Sequence, residues 1–74
     1  MTYPIKLGTY KDAIRLSEIA SRQNFDMRLS CGMDSINARS LLGLFEFVGK
    51  SANLIAPDHA DYNSFAKVIR QLSL

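Results

Sequence analysis

The 74-residue sequence contains one cysteine, Cys31, and one histidine, His59. A lone cysteine closes no internal disulfide, and no metal-ligand spacing surrounds it, so a buried structural thiol is the expectation. Charge of one sign is not concentrated either. The nine Lys and Arg residues (Lys6, Lys11, Arg15, Arg22, Arg28, Arg39, Lys50, Lys67 and Arg70) never form a run of five, and the net charge is only +2. This argues against a dedicated nucleic-acid surface or one for acidic membranes. No apolar run approaches the roughly 18 residues that a membrane-spanning helix needs. Met1–Ile5 lacks the basic-then-apolar layout of a signal peptide, so a cytoplasmic protein is expected. Repeats, linkers and low-complexity stretches are absent as well.

What is present suits an ordinary globular chain: 47% apolar and 22% charged residues. The length allows one domain, residues 1–74, with one core and modest stability. Tyr3, Ile5 and Leu7 alternate with polar neighbours, which predicts a first strand over residues 2–7. Pro4 has no N–H to give a ladder, so the strand belongs at an edge or keeps its proline on the free side. Gly8 breaks it. Thr9 followed by Asp12 resembles a capping box, and Ala13, Leu16, Ile19 and Ala20 then repeat at helical spacing, predicting an amphipathic helix over residues 10–22.

Phe25, Met27, Leu29 and Cys31 alternate with polar residues and predict a second strand. A turn at Gly32-Met33-Asp34 leads to a short third strand over residues 35–38, making a hairpin of residues 25–38. Ser40 is placed to cap a short helix over residues 41–48, closed by Gly49. A fourth strand over residues 52–56 ends at Pro57. Asp58 or Asp61 caps a last helix, in which Tyr62, Phe65, Ile69 and Leu72 form one stripe. The order βαββαβα predicts an α+β open-faced sandwich: a four-stranded antiparallel sheet with three helices on one face.

The run Asn37-Ala38-Arg39-Ser40-Leu41-Leu42-Gly43 resembles the segment around the regulatory serine of the HPr family, the phosphocarriers of the phosphoenolpyruvate:sugar phosphotransferase system. Ala20-Ser21, Asp26 and Leu29 stand at matching spacing, and the likeness covers residues 10–48 well and the last strand and helix by pattern. The family's first helix begins His-x-Arg-Pro, where the histidine carries the phosphoryl group. Here the corresponding stretch is Gly8-Thr9-Tyr10-Lys11-Asp12, with a shorter preceding loop, so the histidine falls at or near Thr9. Lys11 could stand for the arginine, while Asp12 puts negative charge where the family has proline.

A threonine phosphoester is stable where phosphohistidine is labile, and Thr9 has no evident base, so it reads as a helix cap and no catalytic residue is expected. His59 reads as a solvated loop residue. The resemblance implies a regulatory or adaptor protein that carries no phosphoryl group and needs no cofactor or metal. Its implied partners are HPr kinase/phosphorylase and phosphotransferase-system or transcriptional-regulator proteins. Ser40 is the candidate for regulatory phosphorylation, with Arg39 and Lys11 as neighbours for the phosphate.

The second helix is apolar at Leu41, Leu42, Leu44, Phe45, Phe47 and Val48, more than one buried stripe requires. The family's precedent makes Tyr10, Ile14, Leu41, Leu42 and Phe45 candidates for a docking patch; for each of them, core burial is the competing reading. Two alternatives stay open. One is a residual phosphocarrier; the other is reuse of the fold as a small-ligand or other binding module. Near-neutral charge and the lack of an exposed aromatic pair on a strand argue against RNA.

Overall fold

In a computed structural model, which describes residues 1–72, the order is β1 (Thr2–Lys6), α1 (Tyr10–Ser21), β2 (Arg28–Cys31), β3 (Asp34–Asn37), α2 (Leu41–Phe45), β4 (Ser51–Ile55) and α3 (Tyr62–Leu72). The strands form one antiparallel sheet in the order β1-β4-β2-β3. Period-two patterning gives the sheet two unlike faces. Ile5, Leu29, Ala52 and Leu54 point to one side and are buried. Thr2, Pro4, Lys6, Ser51, Asn53, Arg28 and Ser35 line the other and are exposed. The helices cover the apolar side, where Leu16, Leu44 and Val68 are fully buried against the same core as Leu29 and Leu54.

Pro4 occupies an edge strand, on the side the backbone requires. The Met1 amine donates to the Ala56 carbonyl at 3.0 Å, and the Ala56 N–H donates back to the Met1 carbonyl at 2.8 Å. Hydrogen-bonded pairs alternate along an antiparallel ladder, so Tyr3 and Ile5 bond to β4 and the backbone groups of Thr2, Pro4 and Lys6 face outward. The missing donor thus lies on the free edge, where it discourages pairing with another chain.

Several boundaries differ from the sequence expectation. Tyr3 continues the inner-face alternation, but at the sheet corner it stays 44% exposed. Phe25 and Met27 are buried as their alternation implied, yet the ladder starts only at Arg28, opposite Ile55. One residue beyond Ile55, Ala56 is already bonded to Met1. In α3 the buried residues are Phe65, Val68 and Leu72; Ile69 is half-buried and Tyr62 is 70% exposed. Both stripes have helical spacing, and the fold selects the one rotated toward α1.

Helix α2 is regular only to Phe45. The chain then tightens into i→i+3 bonds, with Phe47 donating to Leu44 and Val48 to Phe45, before Gly49 turns away at φ +85°. The Gly49 N–H donates to the Leu7 carbonyl at 2.7 Å, and the positive φ starts the return into β4. Cys31, expected to be buried, is half-exposed at the end of β2 beside the hairpin turn.

Candidate functional site

The start of α1 is built as its sequence implies. Thr9 is extended (φ −142°, ψ 168°), and its hydroxyl accepts the Asp12 N–H at 3.3 Å. The Asp12 carboxylate accepts the N–H of Thr9 at 3.1 Å and that of Gly8 at 2.9 Å. The N–H groups of Thr9 and Asp12, and that of Gly8 before them, are therefore already taken by side chains. This sets a carboxylate beside the donors that would otherwise receive an anion. Lys11 is exposed on the first turn.

Helix α2 lies antiparallel to α1, as two contacts establish. The rings of Tyr10 and Phe45 meet edge to face with centroids 5.2 Å apart. Two turns further along α1, the Ser17 hydroxyl donates to the Arg39 carbonyl at 3.0 Å, at the entrance to α2. Ile14, one turn after Tyr10, is thus level with Leu41, one turn before Phe45. Tyr10 and Phe45 thus make an aromatic contact at the helix–helix seam, with Ile14 and Leu41 each one turn along from it. Leu41 and Phe45 are half-buried, whereas Tyr10 is 61%, Ile14 41% and Leu42 78% exposed. The remaining apolar residues of this segment divide by direction: Leu44 and Phe47 enter the core and Val48 is half-buried. Of the five docking candidates, Tyr10 and Phe45 touch across the seam, and Leu42 is the most exposed.

Ser40 precedes α2 at the N-cap position, with φ −83° and ψ 95°, but its side chain makes no capping bond. The expectation that its hydroxyl caps the helix is corrected. Asn37 supplies the local side-chain bond instead: its Oδ1 accepts the Arg39 N–H at 2.9 Å and its carbonyl accepts the Ser40 N–H at 2.9 Å. The Ser40 hydroxyl is left on an exposed residue near Gly43, where an added Cβ would come within 3.2 Å of it.

Arg39 has a structural task the sequence did not reveal. Its guanidinium donates to the carbonyls of Ala20 at 3.3 Å, Gln23 at 2.9 Å and Phe25 at 3.4 Å, and it pairs with Asp26 at 2.9 Å. A cation on the last carbonyls of α1 complements the helix dipole and pins the connection into β2. The side chain assigned as a phosphate neighbour of Ser40 is already committed to α1 in this state. His59 is exposed in the turn between β4 and α3. Among the described residues, no cluster of three or more His, Cys, Asp or Glu could hold a metal ion, and no helix is long and apolar enough to cross a membrane.

No protein-family model and no curated protein matches the sequence. Solved structures do match. One of them, described as HPr-C-His from Thermoanaerobacter tengcongensis, superposes with a TM-score of 0.75 at 18% identity, covering 99% of this chain and 89% of its own. The likeness is one of architecture: the βαββαβα order, the four-stranded antiparallel sheet and the three helices together make this an HPr-like α+β fold.

Proposed function

We propose that this chain is a non-catalytic regulatory or adaptor protein of the phosphotransferase-system type. It docks partner proteins through the seam of α1 and α2 and is subject to phosphorylation at Ser40. The observation that carries the reading is the seam itself. Leu42 is 78% exposed and Tyr10 61%, with the Tyr10 ring packed on Phe45 between the two helices, an arrangement that would be wasteful on a surface that only meets water. An aromatic pair flanked by aliphatic side chains is the kind of group that dominates binding energy at protein interfaces.

Phosphoryl carriage is disfavoured on chemical grounds. The residue at the start of α1 is Thr9, whose hydroxyl is engaged with Asp12. The nearest carboxylate is spent on backbone N–H groups and is not free to act as a base. Ser40 has the opposite character, an exposed hydroxyl with no capping bond, at the edge of the proposed docking surface. A phosphate there would place about two negative charges next to Leu41 and Leu42, enough to change which partners the surface accepts. Arg39 would serve such a phosphate only by leaving its carbonyl partners. The charge itself, with or without Arg39, is the regulatory element in this reading.

The partners that the resemblance suggests are HPr kinase/phosphorylase, phosphotransferase-system proteins and transcriptional regulators. Incubation with HPr kinase/phosphorylase and ATP should add the mass of one phosphate, and the Ser40→Ala variant should gain none. Absence of the gain in the parent chain would remove Ser40 regulation; a gain that persists in Ser40→Ala would place it elsewhere.

A further inference from the structure

A second surface of α1 is unused by this function. Arg15 donates through Nε to the Gln71 carbonyl at 3.1 Å, which sets the middle of α1 beside the end of α3. Arg22 and Gln23 line one depression with Ser64 and Lys67, so the end of α1 meets the beginning of α3 and the two helices run antiparallel. Between them is a cleft of about 280 Å³, floored by Val68 and lined by Arg22, Gln23, Ser64, Lys67 and Gln71. Arg22 enters from α1 and Lys67 from α3, and neither pairs with a carboxylate of the described residues.

The charge of the molecule is unevenly placed. Helix α1 with Arg22 carries Lys11, Arg15 and Arg22 against Asp12 and Glu18, and α3 carries Lys67 and Arg70, a net of +3. The whole chain is +2, so everything else is −1. Two carboxylates stand near the cleft and keep their charge, but neither lies within ion-pair distance of Arg22 or Lys67. Asp61 is taken up by the Ser64 N–H at 2.9 Å and the Ser64 hydroxyl at 3.0 Å. Glu18 lies one turn from Arg22 in the adjoining depression.

We propose that this cleft binds a phosphomonoester dianion, held between the Arg22 guanidinium and the Lys67 ammonium, with the Gln71 amide as a further donor. A guanidinium fork and an ammonium that line one small depression suit a compact, doubly charged group with several acceptor oxygens. Both cations are solvent-exposed, so binding of the bare group is expected to be weak, in the millimolar range or above. The group could belong to a free phosphorylated metabolite or to a phosphorylated side chain of a partner. The site lies on the α3 side of α1, away from the α2 seam, and does not depend on the function proposed above.

The test is a titration of isotopically labelled protein, followed by amide NMR at constant ionic strength. Inorganic phosphate, glycerol phosphate and a phosphoserine peptide would serve as probes, with chloride as the control. Saturable shifts at Arg22, Gln23, Ser64, Lys67 and Gln71 are expected, weakened about tenfold in each of Arg22→Gln and Lys67→Gln. Both positions are exposed, so these variants should remain folded. Tighter binding of glycerol phosphate or of the peptide identifies the source. Shifts that do not saturate, that chloride reproduces, that survive both substitutions, or that centre on Thr9 or Ser40 would overturn the proposal.

Discussion

Replacing Arg39 by alanine should destabilise the protein far more than an exposed arginine ordinarily would. The bond to the Gln23 carbonyl, at 2.9 Å, is charge-assisted and contributes about 1.5 kcal/mol. The longer bonds, to Ala20 at 3.3 Å and Phe25 at 3.4 Å, contribute roughly 0.5 kcal/mol each. The ion pair with Asp26 has a short 2.9 Å contact, but the Asp26 side chain is 68% exposed, so it adds only about 0.5 kcal/mol. Against these stands about 1 kcal/mol of side-chain entropy that the ordered arginine forfeits. The net loss is about 2 kcal/mol, or a fall in melting temperature of about 10 °C for a domain of this size. Urea and thermal unfolding of Arg39→Ala, Arg39→Lys and Asp26→Asn measures it. Lysine should recover only a small part, because an ammonium cannot span three separate carbonyls. Asp26→Asn should cost about 0.5 kcal/mol. An Arg39→Ala loss below about 0.5 kcal/mol, or an Asp26→Asn loss equal to it, would refute the clamp.

Other consequences are more local. Thr9→Ala should cost about 1 kcal/mol in urea unfolding, and Asp12→Ala somewhat more, because Asp12 satisfies two backbone donors and Thr9 one. Pro4→Val should leave the monomer's melting temperature nearly unchanged but promote self-association in sedimentation, since it restores an outward N–H to the free edge of β1. If Pro4→Val sediments as the parent does at the same concentration, the assignment of the proline to the outward side is wrong. Phosphoenolpyruvate with enzyme I should leave no acid-labile label on the chain; a label of that kind on the parent protein would restore the phosphocarrier alternative.

The element order was readable because hydrophobic periodicity and local punctuation agree along most of the chain. The alternation that buries Ile5 and Leu7 and the Thr9–Asp12 box each act over a few residues and appear as expected, whereas Gly49 turns the chain four residues after α2 has ended at Phe45. Features that depend on distant residues were less visible. Nothing in the sequence marks Arg39 as the partner of carbonyls 14 to 19 positions earlier. The exposure of Tyr62 depends on the rotation of α3, which periodicity leaves free between two equivalent stripes. Ser40 has the residue type and position of a cap, but the backbone turn built by Asn37 supplies the local bonds. The apolar surface proposed for docking was legible as an excess of apolar residues in and around α2. Its internal order, Tyr10 on Phe45 and Ile14 level with Leu41, required the antiparallel arrangement of two helices.

That arrangement also identifies the substitution best suited to test recognition. Phe45 is half-buried against Tyr10, so Phe45→Glu would disturb folding along with docking. Leu42 projects outward at 78% exposure, and Leu42→Glu should change stability by less than about 0.5 kcal/mol. The direct measurement is an amide NMR titration of the labelled chain with HPr kinase/phosphorylase, on the parent and on Leu42→Glu. The account predicts shifts confined to Tyr10, Ile14, Leu41, Leu42, Phe45 and their neighbours, including Ser40, and their loss in the folded Leu42→Glu variant. Shifts centred instead on the polar sheet face at Ser30, Ser35 and Asn53, or binding undiminished by Leu42→Glu, would contradict it.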